Sequence, residues 1–197
     1  STPAAVGNRV AAAAIATGRR DGSLETQHYV DSSYTPPNGP LVVRQAGSTV
    51  HDATFWQPLA QGRTSQPFVD AQWGQVHTYA TGLLPAPGAP PFDSPTDRAY
   101  TEAAVGVIRA TAAQTTAAKA DASPLAWNLA ADALAPVTVS EDLHRLVVLN
   151  GALNDAAVAV WRAKRAYQAP RPISMIRYLA GTDKLPLVPG LVKLDHG

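Results

Sequence analysis

The sequence predicts an all-α fold, a helical bundle with one long irregular proline-rich segment, and three observations support this. Alanine-rich stretches run long without breakers. Capping residues followed by proline or acids mark several helix starts. The breakers themselves gather in dense runs, Thr35-Pro36-Pro37-Asn38-Gly39-Pro40 and Pro85-Ala86-Pro87-Gly88-Ala89-Pro90-Pro91, rather than being spread along the chain.

The first helix is expected from Ala4 to about Arg19, where only Gly7 interrupts the alanines, and it should stop before Asp21-Gly22. From there to about Asp93 no helical stripe is visible. A structureless loop of that length is unusual in a compact domain, so short strands or turns are expected around Leu41 to Val43 and Phe55 to Leu59. Ser94-Pro95-Thr96-Asp97 offers an N-cap serine with proline at the first helical position, opening a helix that reaches Asp121. Ser123-Pro124 repeats the pattern for a shorter helix through Trp127 and Leu129 that ends before a turn at Pro136. Ser140, followed by Glu141 and Asp142, is expected to cap the longest helix, which continues to Pro170 as the central element of the bundle. Pro172 then begins a last helix, Ile173 to Ala180, closed by Gly181.

Bulk properties exclude several classes of function. The 197 residues suit one domain. A net charge of +1 with 16% charged residues leaves no basic field for a nucleic-acid backbone or an anionic membrane surface. With no cysteine there is no disulfide scaffold, zinc-thiolate site or thiol nucleophile. No apolar run approaches the roughly 18 residues of a membrane span. Ser1-Thr2-Pro3-Ala4 resembles a trimmed end, which suits a secreted or periplasmic protein, while the absence of cysteine is compatible with the cytoplasm too.

Local chemistry centres on Lys164 and Arg171. At 100° per residue Leu146, Leu153, Ala157, Val160 and Lys164 share one face of the long helix, with Arg162 and Arg165 about 160° and 100° away from the lysine. That arithmetic turns Lys164 onto the apolar stripe, where a buried ammonium calls for an anion; the other reading is a snorkelling stem at a helix end. Arg171, before Pro172, lies at a helix N-terminus, where free N–H groups, the helix dipole and a planar guanidinium all favour an oxyanion. Its other readings are a carboxylate partner or open water. Asp155 lies about 180° from Lys164 and is read as structural, paired elsewhere. His28, His51, His77 and His144 are scattered without metal-ligand spacing, and His196 reads as a solvated loop residue. Trp73 and His77 suit either a surface platform or a structural role.

Lys164, six intervening residues and Arg171-Pro172 resemble the first of three signature segments of the vanadium-dependent haloperoxidase and type 2 phosphatidic acid phosphatase superfamily. The likeness extends through Asn154-Asp155-Ala156-Ala157, Trp161 and Pro172-Ile173-Ser174-Met175-Ile176-Arg177. Phe55-Trp56-Gln57-Pro58-Leu59 and Gln72-Trp73-Gly74 resemble a bacterial branch of the haloperoxidases.

The resemblance implies a helical bundle of that type, with Lys164 and Arg171 neutralising the equatorial oxygens of bound vanadate, or of phosphate in a phosphatase. Trp161 matches a position near the halide side of the pocket, although core packing would also account for it. The family also needs a Ser-Gly-His segment and a later arginine and histidine, and neither occurs in this sequence, where Lys193-Leu194-Asp195-His196-Gly197 stands about where the intervening region should begin. The expectation is therefore a single α-helical domain or part-domain over 1–197, an N-terminal or middle portion without a metal ligand of its own. A C-terminal chain or fragment of the same protein would supply the axial histidine. The implied activity is oxidation of halide by hydrogen peroxide, with a small organic acceptor. The alternatives are a phosphatase using a histidine nucleophile from the missing portion, or a non-catalytic helical binding or scaffold module.

Overall fold

The computed structural model describes residues 2–181 apart from 46, 48, 81–84, 86, 122 and 135–137. His196, the expected turn at Pro136 and Ala86 of the second breaker run lie outside the described residues. The chain is mainly helical, as predicted, with one small sheet. It divides into two compact units, the first made of Ser1–Tyr34, Asp70–Pro87 and Ser123–Ala166, the second of Thr35–Val69, Gly88–Ala122 and Tyr167–Gly197.

In the first unit α1 (Pro3–Gly18) starts at Thr2, whose hydroxyl accepts from the Ala5 N–H at 3.3 Å, and none of its residues is buried. The unit also holds α4 (Pro124–Asp132) and nearly all of α5 (Val139–Tyr167). Thr138, not the expected Ser140, caps α5: Glu141 N–H donates to Thr138 Oγ1 at 3.3 Å and Thr138 N–H to Glu141 Oε2 at 2.9 Å. This reciprocal capping box satisfies two otherwise orphaned groups, which a serine already inside the first turn could not do. Asn128 and Asn150 exchange amide hydrogen bonds at 3.1 and 2.9 Å, tying α4 to α5.

The segment 70–80, including a 3-10 turn at Trp73–Gln75, packs on α5. Buried Gln72 reaches the carbonyls of Ser23 and Tyr29 at 2.9 and 3.1 Å, and His77 N–H donates to Asp21 O at 2.8 Å. Gly74 is required by the approach itself, because a Cβ there would lie 2.6 Å from Arg162 Cα.

In the second unit, β1 (Leu41–Val42) pairs in parallel with β2 (Leu59–Gln61), which pairs antiparallel with β3 (Thr64–Ser65). Of the short strands or turns expected around Phe55 to Leu59, a strand forms only from Leu59 onward. Residues 55–57 instead serve polar contacts: buried Gln57 donates to Gly39 O at 3.0 Å and Thr49 Oγ1 at 3.1 Å, and accepts from Ser174 Oγ at 3.0 Å. Asn38, also buried, donates to the carbonyls of Asp52, Phe55 and Trp56 and accepts from the N–H groups of His51 and Asp52. A glutamine and an asparagine thus hold an irregular segment that has no ladder of its own.

The helix expected from Ser94 to Asp121 is two helices, α2 (Arg98–Ile108) and α3 (Ala112–Asp121). Its start moves because Asp97 Oδ2 accepts from Asp93 and Ser94 N–H at 2.8 and 3.0 Å, holding Ser94 to Asp97 as a turn. It breaks because Thr111 and Gln114 form a second reciprocal cap, at 2.8 and 3.2 Å. α6 (Pro172–Gly181) follows the predicted bounds closely and packs on α2. Tyr100, Ala104, Met175 and Leu179 form the core of this contact with Ala53, whose carbonyl accepts from Tyr100 Oη at 2.8 Å. No helix among the described residues is long and apolar enough to cross a membrane.

Candidate functional site

Arg171 immediately precedes α6, and its carbonyl accepts the first helical bonds, from Ser174 N–H at 2.9 Å and Met175 N–H at 3.1 Å. Pro172 follows at the first helical position, where its missing N–H costs nothing. The side chain is half-buried, and desolvation lowers its pKa, although a guanidinium still remains charged at any ordinary pH. Its Nη1 donates to Gln66 Oε1 at 2.7 Å, and its Cζ lies 5.2 Å from the centroid of the Trp56 ring. No carboxylate pairs with it among the described residues. Among the described residues its partners are a neutral amide and an aromatic face rather than a carboxylate.

Lys164 departs from its expected place. It is exposed, and so is Val160 of the supposed inward face; Leu146, Leu153 and Ala157 are only half-buried. The buried residues of α5 are Asp155, Val158, Ala159 and Ala163. The physical reason is the backbone contact between Gly74 and Arg162, which docks the side of α5 about 160° from Lys164. Accordingly Arg162, on the side turned away from Lys164, is half-buried and its Nε donates to Gly74 O at 3.3 Å. The Lys164 ammonium lies 3.6 Å from the centroid of the half-buried Trp161 ring, a cation–π contact one turn apart on the helix. Arg165 lies over Tyr34, 4.7 Å from its centroid.

Asp155 is the buried acid of the helix and has the structural role read for it. Its Oδ1 accepts from Tyr79 N–H and its Oδ2 from Ala80 N–H, both at 2.8 Å. Burial raises its pKa, but these two donors and the Asn154 amide outweigh that and hold the carboxyl below its ordinary value.

Among the described residues no cluster of three histidines or acids could hold a metal ion, and His28, His51, His77 and His144 are all exposed. Lys164 belongs to the first unit and Arg171 to the second. What sequence reasoning missed is Gln66, an exposed polar residue in an irregular stretch with no periodic or motif signal to single it out.

Each unit thus carries one of the two cationic residues at a helix end, Lys164 on the last turn of α5 and Arg171 immediately before α6. In comparison with known families, residues 144–188 match the VCPO second helical-bundle domain. The match supports membership of the vanadium haloperoxidase superfamily for this portion of the chain, which contains both Lys164 and Arg171. No curated protein and no solved structure matches the chain.

Proposed function

We propose that this chain supplies Lys164 and Arg171 to the oxyanion site of a vanadate-dependent haloperoxidase, which oxidises halide with hydrogen peroxide. The observation that carries the reading is Arg171, a half-buried cation at a helix start, inside the matched domain, whose described partners are a neutral amide and an aromatic ring. A positive charge taken partly out of water and left without a counter-charge among the described residues favours an anion as its compensating partner.

The guanidinium offers a planar fork to two oxygens, and the Lys164 ammonium a compact, movable point charge on a flexible stem. Together they would hold the cofactor's oxygens and stabilise the negative charge that develops during reaction. Vanadate, when bound, supplies the Lewis-acidic centre at which peroxide is activated for oxygen transfer. Trp161, bearing the Lys164 ammonium on its face, would border the halide side. The family's later arginine-and-histidine segment has no match in this sequence, and a histidine of that kind would be needed to complete the site. A small organic molecule would accept the oxidised halogen.

The test is peroxide- and vanadate-dependent bromination of an organic acceptor by the complete protein, measured beside phosphate-ester hydrolysis without vanadate. Bromination that falls about 100-fold or more in both Lys164→Ala and Arg171→Ala is expected, from the usual cost of removing one charge-stabilising donor. Full activity in either variant would refute that residue's role. Ester hydrolysis without bromination would establish the phosphatase instead.

A further inference from the structure

We infer that Gln66 is a positioning residue for Arg171, an uncharged brace that orients the guanidinium while leaving its charge available to an oxyanion. The inference rests on the proposed anion role of Arg171 and adds a residue for which neither sequence motif nor family match gives a role.

The brace is built from three pieces of the second unit. Gln66 follows β3, and its N–H donates to Leu59 O at 2.8 Å, extending the pairing of β2 and β3 by one bond and fixing where its side chain begins. Its Oε1 then meets Arg171 Nη1 at 2.7 Å, across 105 residues of sequence. Trp56, buried and edge-on to Phe68 with ring centroids 5.0 Å apart, supplies the face beneath the guanidinium. Trp56 is itself held by its own N–H, which donates to Gln168 O at 2.5 Å, and by its neighbour Gln57, which meets Ser174 in the first turn of α6. Strand, indole and helix start are therefore locked to one another, and Arg171 is held on two sides.

The choice of an amide has a chemical consequence. A carboxylate at position 66 would take the fork in a bidentate pair and cancel its charge, so that an oxyanion would have to compete with it. A glutamine carbonyl accepts one N–H and contributes no charge, so the ordering entropy of a long side chain is spent before the anion arrives. Elsewhere in the same unit, Arg177 shows the contrasting arrangement, with Nη1 and Nη2 both spent on backbone carbonyls of Val42, Val43 and Gln45.

Orthovanadate affinity, measured by calorimetry on the full chain in the complete protein, separates the outcomes. Gln66 is exposed, so its replacement leaves the melting temperature nearly unchanged. Gln66→Ala is expected to weaken binding about threefold to tenfold, the range for immobilising one long side chain. Gln66→Glu should weaken it further than alanine does, because the new carboxylate opposes the anion, an ordering that a purely structural role would not produce. In an Arg171→Ala background Gln66→Ala should cost nothing more. Wild-type affinity in Gln66→Ala, or a loss that persists without Arg171, overturns the brace even when Arg171→Ala proves that arginine's role. Unchanged affinity in Arg171→Ala, or no orthovanadate binding by the wild type, overturns the anion reading and the brace with it.

Discussion

The two units attach an irregular segment to a helix by opposite charges. In the first, the Asp155 carboxylate of α5 receives two backbone N–H groups from Tyr79 and Ala80. In the second, the Arg177 guanidinium of α6 gives N–H bonds to the carbonyls of Val42, Val43 and Gln45 at 2.6 to 3.1 Å. Both devices satisfy main-chain groups that no helix or ladder partner satisfies. They differ in burial and in chemistry: Asp155 is 5% exposed and can be neutralised by acid, whereas Arg177 is half-buried. The first attachment is therefore the more deeply buried and the one that acid can break.

Removing the buried carboxylate should have the largest effect. Asp155→Ala removes both charge-assisted bonds and a buried side chain, and is expected to destabilise the protein by about 3 kcal/mol, with loss of hydrogen-exchange protection at the Tyr79 and Ala80 amides. Retained protection at both amides would show that another group holds the segment. Arg177→Met should cost less, about 1–2 kcal/mol, because water can reach the partly exposed carbonyls once the guanidinium is gone. A larger loss there than in Asp155→Ala, measured by urea unfolding, would reverse the comparison.

Acid should give the smallest effect at ordinary pH and a selective one lower down. Because the folded-state pKa of Asp155 lies below its unfolded value, its ionisation stabilises the fold above the unfolded pKa of about 3.9. That contribution is lost as pH falls through the lower, folded value. The stability difference between wild type and Asp155→Asn should thus hold steady from pH 7 to about 5 and shrink below about 4. A difference that does not change across the range would mean the carboxylate is not the attachment.

How far the sequence leads depends on the range of the interactions involved. The start of α6 and the place of Arg171 in front of it follow from Pro170-Arg171-Pro172, since proline's fixed φ and missing N–H act within a residue or two. The cap of α5 was readable too, but Thr138 with Glu141 three residues on is the stronger signal than Ser140. The break at Arg109 to Thr111 was hidden among good helix formers, where Thr111 and Gln114 had to be recognised as a cap rather than as interior positions. Gln66 was unreadable, because its significance is a partner 105 residues away.

By itself the sequence determined the helical class, most helix positions and the family likeness that the match over residues 144–188 supports. Only the tertiary structure decided which side of α5 faces the core. Helical arithmetic gives the angle between two side chains but no absolute zero, and α5 carries apolar residues all around, with Val147 and Val148 exposed while Ala159 and Ala163 are buried. The small side went inward because the backbone at Gly74 packs directly on Arg162, and close approach of main chains selects alanine and glycine over larger side chains.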